Sequence, residues 1–161
     1  MRVLLDLSQL FFAARANKVV LNYAELLRRL QGPSRASHVT GFTVANPKNE
    51  RQTRFIEMLR DLDVEVVAHP VRDSPDFTLE LAMLAARSRD PEGLTYVSGD
   101  DLLQRTLPLL NIPVTIAFFP DQMAPSWTPL ILSKRVRFLD LTCSKPEQPH
   151  DQEDRSQADR D

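Results

Sequence analysis

Three aspartates stand where the chain can do chemistry. Asp6 ends a short apolar run, Asp76 opens a helical segment, and Asp100 follows Val97-Ser98-Gly99. Carboxylates brought to one cleft repel one another, and a divalent cation keeps them ionised. An oxygen-only set suits Mg²⁺ or Mn²⁺. Such a metal lowers the pKa of a bound water and steadies charge on a phosphoryl group, which is phosphodiester hydrolysis chemistry. A plainer role is open to Asp76 and Asp100, since either can cap the helix that follows it.

Other site chemistries find less in the sequence. No G-x-x-x-x-G-K-[ST] loop is present to cradle phosphates. Four glycines, Gly32, Gly41, Gly93 and Gly99, form no G-x-G-x-x-G, so a dinucleotide site of the usual kind is not expected. No G-x-S-x-G elbow occurs. A D-x-D phosphatase would want an acid where Ser8 stands. None of His38, His69 and His150 has a His or Cys four residues on. His69, closing a strand, is a minor site candidate. The single cysteine, Cys143, permits neither an intramolecular disulfide nor a cysteine zinc site.

The elements that must position the aspartates follow from pattern. Apolar or β-branched runs predict strands over 3–6, 39–45, 64–68, 94–97, 114–119 and 136–141. Helices are expected over 22–30, 50–62, 76–88, 101–110 and 127–134. Asn22 is a possible N-cap, and Phe55, Ile56, Leu59 and Leu62 form one stripe of the second helix. Strands alternating with helices over short links predict an α/β fold. The expected form is a Rossmann-like three-layer sandwich with a mostly parallel sheet. Sites in such sheets lie outside the carboxyl ends of the strands. That directs attention to residues 6–9, 46–48, 70–76 and 98–101.

The chain has 161 residues, 42% hydrophobic and 26% charged, which suits one globular domain. We expect that domain over 1–143 and a disordered acidic tail over 144–161, where no aliphatic residue exceeds Ala158 in size. The tail holds Lys145, Arg155 and Arg160 against six acids, so it carries −3 and the body +1 of the formal −2. No apolar run approaches the ~18 residues of a membrane span, and the start lacks a signal-peptide layout. A cytoplasmic protein is the simplest fit.

Four segments together resemble the NYN domain, a branch of the PIN-like nuclease superfamily. They are Leu4-Leu5-Asp6-Leu7-Ser8-Gln9-Leu10, Arg51-Gln52-Thr53-Arg54-Phe55, Asp76-Phe77-Thr78-Leu79-Glu80-Leu81-Ala82 and Tyr96-Val97-Ser98-Gly99-Asp100. The resemblance spans roughly residues 2–141, and Val97-Ser98-Gly99-Asp100 after a strand is its most specific piece. It implies PIN-like topology and metal-dependent ribonuclease activity on single-stranded or structured RNA. Asp6, Asp76 and Asp100 would ligate Mg²⁺ or Mn²⁺, while Gln9 and Ser98 would position ligands or the phosphate. Arg54 or Arg72 would steady the phosphate, with Lys48 nearby.

The departures carry equal weight. Where the family has D-G-x-N, Leu7 replaces Gly and Gln9 stands for Asn. In D-x-x-L-x-x-D, Ala82 occupies the second acid. In S-G-D-x-D-F, Leu102 and Leu103 occupy the last two places. Losing ligand charge weakens divalent-metal affinity. Glu80 lies four residues after Asp76, on the same helix face, and is the expected substitute acid; Asp101 is a poorer one. Lys48, Arg51 and Arg54 form one basic cluster and Lys134, Arg135 and Arg137 another, and such groups grip phosphates. The alternative is a catalytically degenerate PIN-like module that binds RNA or a protein partner, or pairs as a homodimer, without cleavage.

Overall fold

A computed structural model describes residues 1–32, 37–70 and 77–142. The chain starts with β1 (Arg2–Asp6), whose Val3, Leu4 and Leu5 are all buried. It continues through α1 (Leu7–Ala16), α2 (Tyr23–Gln31), β2 (His38–Ala45), α3 (Glu50–Asp61), β3 (Val64–Pro70) and α4 (Phe77–Ala86). Then come β4 (Leu94–Val97), β5 (Val114–Phe118), α5 (Trp127–Leu132) and β6 (Arg137–Asp140). Short 3₁₀ turns occupy Leu102–Arg105, Leu107–Leu109 and Pro120–Gln122.

The six strands form one sheet in the order β3-β2-β1-β4-β5-β6, with every neighbouring pair parallel. The expected α/β three-layer architecture is thus observed. Alternating residues of each strand feed different cores, as the two-residue period demands. Val3, Leu5 and Val97 pack with Leu10, Leu26 and Leu59 beneath α1, α2 and α3. Leu4, Phe42 and Tyr96 pack with Leu81, Leu103 and Trp127 on the opposite face. Strand order reverses between β1 and β4, both paired to each other, and this is the topological switch point.

Local chemistry explains the helix starts. Asn22 Oδ1 accepts from the Glu25 amide at 3.1 Å, and Asn49 Oδ1 accepts from the Arg51 and Gln52 amides, so each caps its helix. Gly32 ends α2 at φ 62°, a region open to glycine. Pro70, on β3, sits on an edge strand, where a missing N–H is tolerated.

Two expectations need correction. Residues 7–16 form α1, a helix that the ranges predicted from the sequence do not include. The helix was written in Leu7, Leu10, Ala13 and Ala14, its buried face, with Asp6 as its cap. Residues 101–110 are two 3₁₀ turns rather than one helix. Pro108 lies near the start of the second turn, and proline inside a continuous α-helix would remove a hydrogen bond and clash with the preceding turn. Asp76, Arg72, Cys143 and the 144–161 tail lie outside the described residues.

Candidate functional site

By the general rule for open α/β sheets, the crevice falls at the switch point, between the ends of β1 and β4. Leu5 and Val97 are register partners, so the residues after them emerge side by side. Asp6 is fully buried and N-caps α1, its Oδ1 accepting from the Gln9 amide at 2.9 Å. A carboxylate in that place is favoured by the helix dipole. The N-terminus of α1 is thus closed by an acidic side chain.

Asp100 is held from three sides. Its Oδ2 accepts from the Tyr96 hydroxyl at 3.1 Å and from the Ser98 hydroxyl. Its Oδ1 accepts from the Leu102 amide at 2.9 Å. The Trp127 indole N–H donates to the Asp100 carbonyl at 2.7 Å, fixing the backbone as well. Gln9 joins the two strand ends: its Oε1 accepts from the Gly99 amide at 3.1 Å and lies 3.3 Å from Ser98 Oγ. A Cβ on Gly99 would meet the Gln122 carbonyl oxygen and stand 2.7 Å from Phe118 Cε1, so the turn needs glycine for space.

Tyr96 reports the electrostatics. Burial pushes its phenol well above the ordinary value, and the negative charges of Asp100 and Asp6 push it further. The hydroxyl therefore stays protonated and serves as a donor to Asp100. Tyr96 and Trp127 were missed from sequence. A hydroxyl-bearing aromatic four residues before Asp100 was a signal for Tyr96; Trp127 comes from a distant element with none.

Other expected site residues fall elsewhere. Glu80 Oε2 stands 3.0 Å from His69 Nε2, with the Glu80 side chain about half exposed. Ion-pair distance is met there, but hydrogen-bond alignment is not, since His69 Nε2 has no hydrogen-bond partner among the described residues. Ala82 is buried, so that family acid position is built into the core, whereas Leu102, at the other one, is partly buried. Asp101 Oδ2 accepts from the Ser126 hydroxyl at 3.1 Å. Arg54 is exposed and lies 3.8 Å from Glu50 on its own helix. Lys48 is exposed in the turn after β2. Lys48, Arg51 and Arg54 follow the carboxyl end of β2, the end of the sheet that carries the crevice. Lys134, Arg135 and Arg137 precede or begin β6, at the sheet's amino end, away from it.

Among the described residues no group of three or more His, Cys, Asp or Glu is placed to hold a metal ion. What the crevice offers is two carboxylates with hydroxyl and amide oxygens beside them. Oxygen-only donors fit a hard divalent cation in kind, with two charges rather than three or four.

The sequence matches no protein-family model and no curated protein. A solved structure is similar in fold: a protein of unknown function, VPA0982, from Vibrio parahaemolyticus RIMD 2210633. It superposes with a TM-score of 0.63 at 19% identity, over 87% of this chain and 91% of that one. At this identity the likeness concerns the fold.

Proposed function

We propose that the protein hydrolyses RNA phosphodiesters at the crevice between β1 and β4, with Mg²⁺ or Mn²⁺ as cofactor. One observation supports this above others. The Gln9 link to Gly99 and the Ser98 contact with Asp100 draw both described aspartates of the NYN resemblance to adjoining strand ends at the switch point. Asp6 and Asp100 would hold the cation, with Asp76 completing the set. A divalent cation there would supply an activated water and charge neutralisation at phosphorus. The chain's own residues do the rest. Ser98, Tyr96 and the Leu102 amide orient the Asp100 carboxylate. Gln9 fixes the approach of α1 to the β4 turn. Lys48 and Arg54 line the same end of the sheet and would steady the phosphate backbone.

A second reading has its own observation. Glu80 is turned to His69, and Ala82 and Leu102 stand where the family has acids, so the acid set is thin. That favours a module which binds RNA without cutting it. One experiment separates the two. End-labelled single-stranded RNA is incubated with Mn²⁺ and the wild-type chain, Asp6→Asn or Asp100→Asn, all free of host nuclease. Hydrolysis implies metal-dependent cleavage by wild type that falls at least about a hundredfold in each variant, the scale of losing a group acting on the transition state. RNA retention on a filter without cleavage supports the second reading. Equal cleavage by all three proteins refutes the first.

A further inference from the structure

A second concavity lies outside the crevice, and its chemistry is different. It is a half-open groove of about 1040 Å³ between α1, the start of α2 and the start of α3, floored by Thr43 and Val44 of β2. Its size stands at the upper end of the ~300–1,000 Å³ typical of small-molecule sites. Aliphatic wall comes from Leu7, Ala14, Val19, Val20, Leu21 and Val44. Phe12 is 67% exposed and Val20 84%, so apolar surface stands open to water, and an open apolar patch of this kind marks a binding surface. The charged lining residues are Arg15, Lys18 and Arg51, all cations, with no acid among them. None of the three pairs with a carboxylate among the described residues. Three polar lining groups are already engaged: Asn49 caps α3, Gln52 bridges the Asn46 amide and the Val44 carbonyl, and the Thr43 hydroxyl donates to the Val44 carbonyl. What the lining offers a ligand is mainly apolar surface and positive charge, with the Ser8 and Tyr23 hydroxyls beside them.

We propose that this groove binds an amphipathic organic anion, a long-chain carboxylate, with its chain along α1 and its carboxylate at the cationic rim. Two other occupants fit less well. Single-stranded nucleic acid wants parallel aromatic platforms. Here Phe11 and Phe12 stand at 75° to each other, and Tyr23 and Phe55 are packed edge to face at 5.0 Å. A second copy across a two-fold axis would set the same cations against each other, which costs affinity.

The test titrates the full chain into 11-(dansylamino)undecanoate below its micelle concentration and follows dansyl emission. Saturable binding displaced by hexadecanoate is expected. Phe12→Ser should weaken it about tenfold or more through lost apolar contact, and the double variant Arg15→Glu/Lys18→Glu should do the same through charge. All of these side chains are exposed, and unchanged thermal melts will show that the variants fold. Asp100→Asn should bind normally, so this result is independent of any cleavage result. The proposal is overturned by absence of saturable binding, or by full binding in both groove variants. Equal displacement by hexadecyltrimethylammonium would overturn it by showing that charge is not read. Oligouridylate binding that is lost in Phe12→Ser would overturn it by assigning the apolar wall of the groove to nucleic acid.

Discussion

At Asp6 one side chain carries both a structural and a proposed chemical duty, and two substitutions separate them. Asparagine caps a helix about as well as aspartate, whereas alanine does not. Asp6→Asn should therefore keep the melting temperature near wild type while removing the charge. Asp6→Ala should cost about 1 kcal/mol for the cap alone, read as a lower denaturation midpoint. If the two variants lose equal stability, the cap is not what the carboxylate contributes. Tyrosine gives a second prediction at this scale. Burial raises the Tyr23 phenol to about 12, and Tyr96 is raised further by burial and by Asp100 and Asp6. Raised folded-state values mean that folding favours the protonated phenols. Their contribution is complete below the unfolded value of about 10 and is lost as pH rises beyond it. Stability should be flat with respect to these groups up to about pH 10 and fall above it. Tyrosinate absorbance should then rise together with loss of the near-ultraviolet circular dichroism. Tyrosinate appearing near pH 10 with the fold intact would contradict the buried placement of both rings.

Between the β4 turn and the segment that follows β5 the packing leaves no spare volume, and Gly99 is the place to test it. Gly99→Ala drives a methyl toward the Gln122 carbonyl and the Phe118 ring. Backbone is on one side and a buried ring on the other, so the turn must shift. The expected cost is about 1–3 kcal/mol, measured by urea unfolding, with weakened Mn²⁺ binding because Asp100 rides on the same turn. An unperturbed midpoint would mean the turn is looser than its contacts indicate. The elements themselves were largely legible in the sequence. Strands declared themselves as short apolar runs, and the Asn22 cap opened α2 as read, with Gly32 closing it. α1 escaped because Phe11 and Phe12 are exposed and blur its apolar stripe. The 3₁₀ turns escaped because helical spacing of Leu residues does not reveal that Pro108 breaks the hydrogen-bond ladder. The site was half legible. Asp6, Ser98 and Asp100 lie at strand ends and Gln9 in the first turn of α1, where the position follows from the fold. Glu80 was read from helix periodicity, which gives a face but not the neighbour, and the neighbour is His69.

Across the whole molecule, charge decides how RNA would be held. The 1–143 body carries a formal +1, so no broad positive field covers it. Affinity must come from local cations at the end of the sheet that holds the crevice. Lys48, Arg51 and Arg54 are there, following β2, whereas Lys134, Arg135 and Arg137 are at the other end. About three phosphate contacts on a single strand predict a slope near −2 for log K against log salt, from about −0.7 per contact. Filter binding of single-stranded RNA over a salt series measures it. Neutralising Arg51 and Arg54 to Gln should flatten the slope by about 1.4, and the same change at Arg135 and Arg137 should leave it alone. A slope of −4 or steeper would require both clusters at once. That would move the RNA path from the carboxyl edge of the sheet to a track running the length of the domain, and the crevice would no longer be where the strand is gripped.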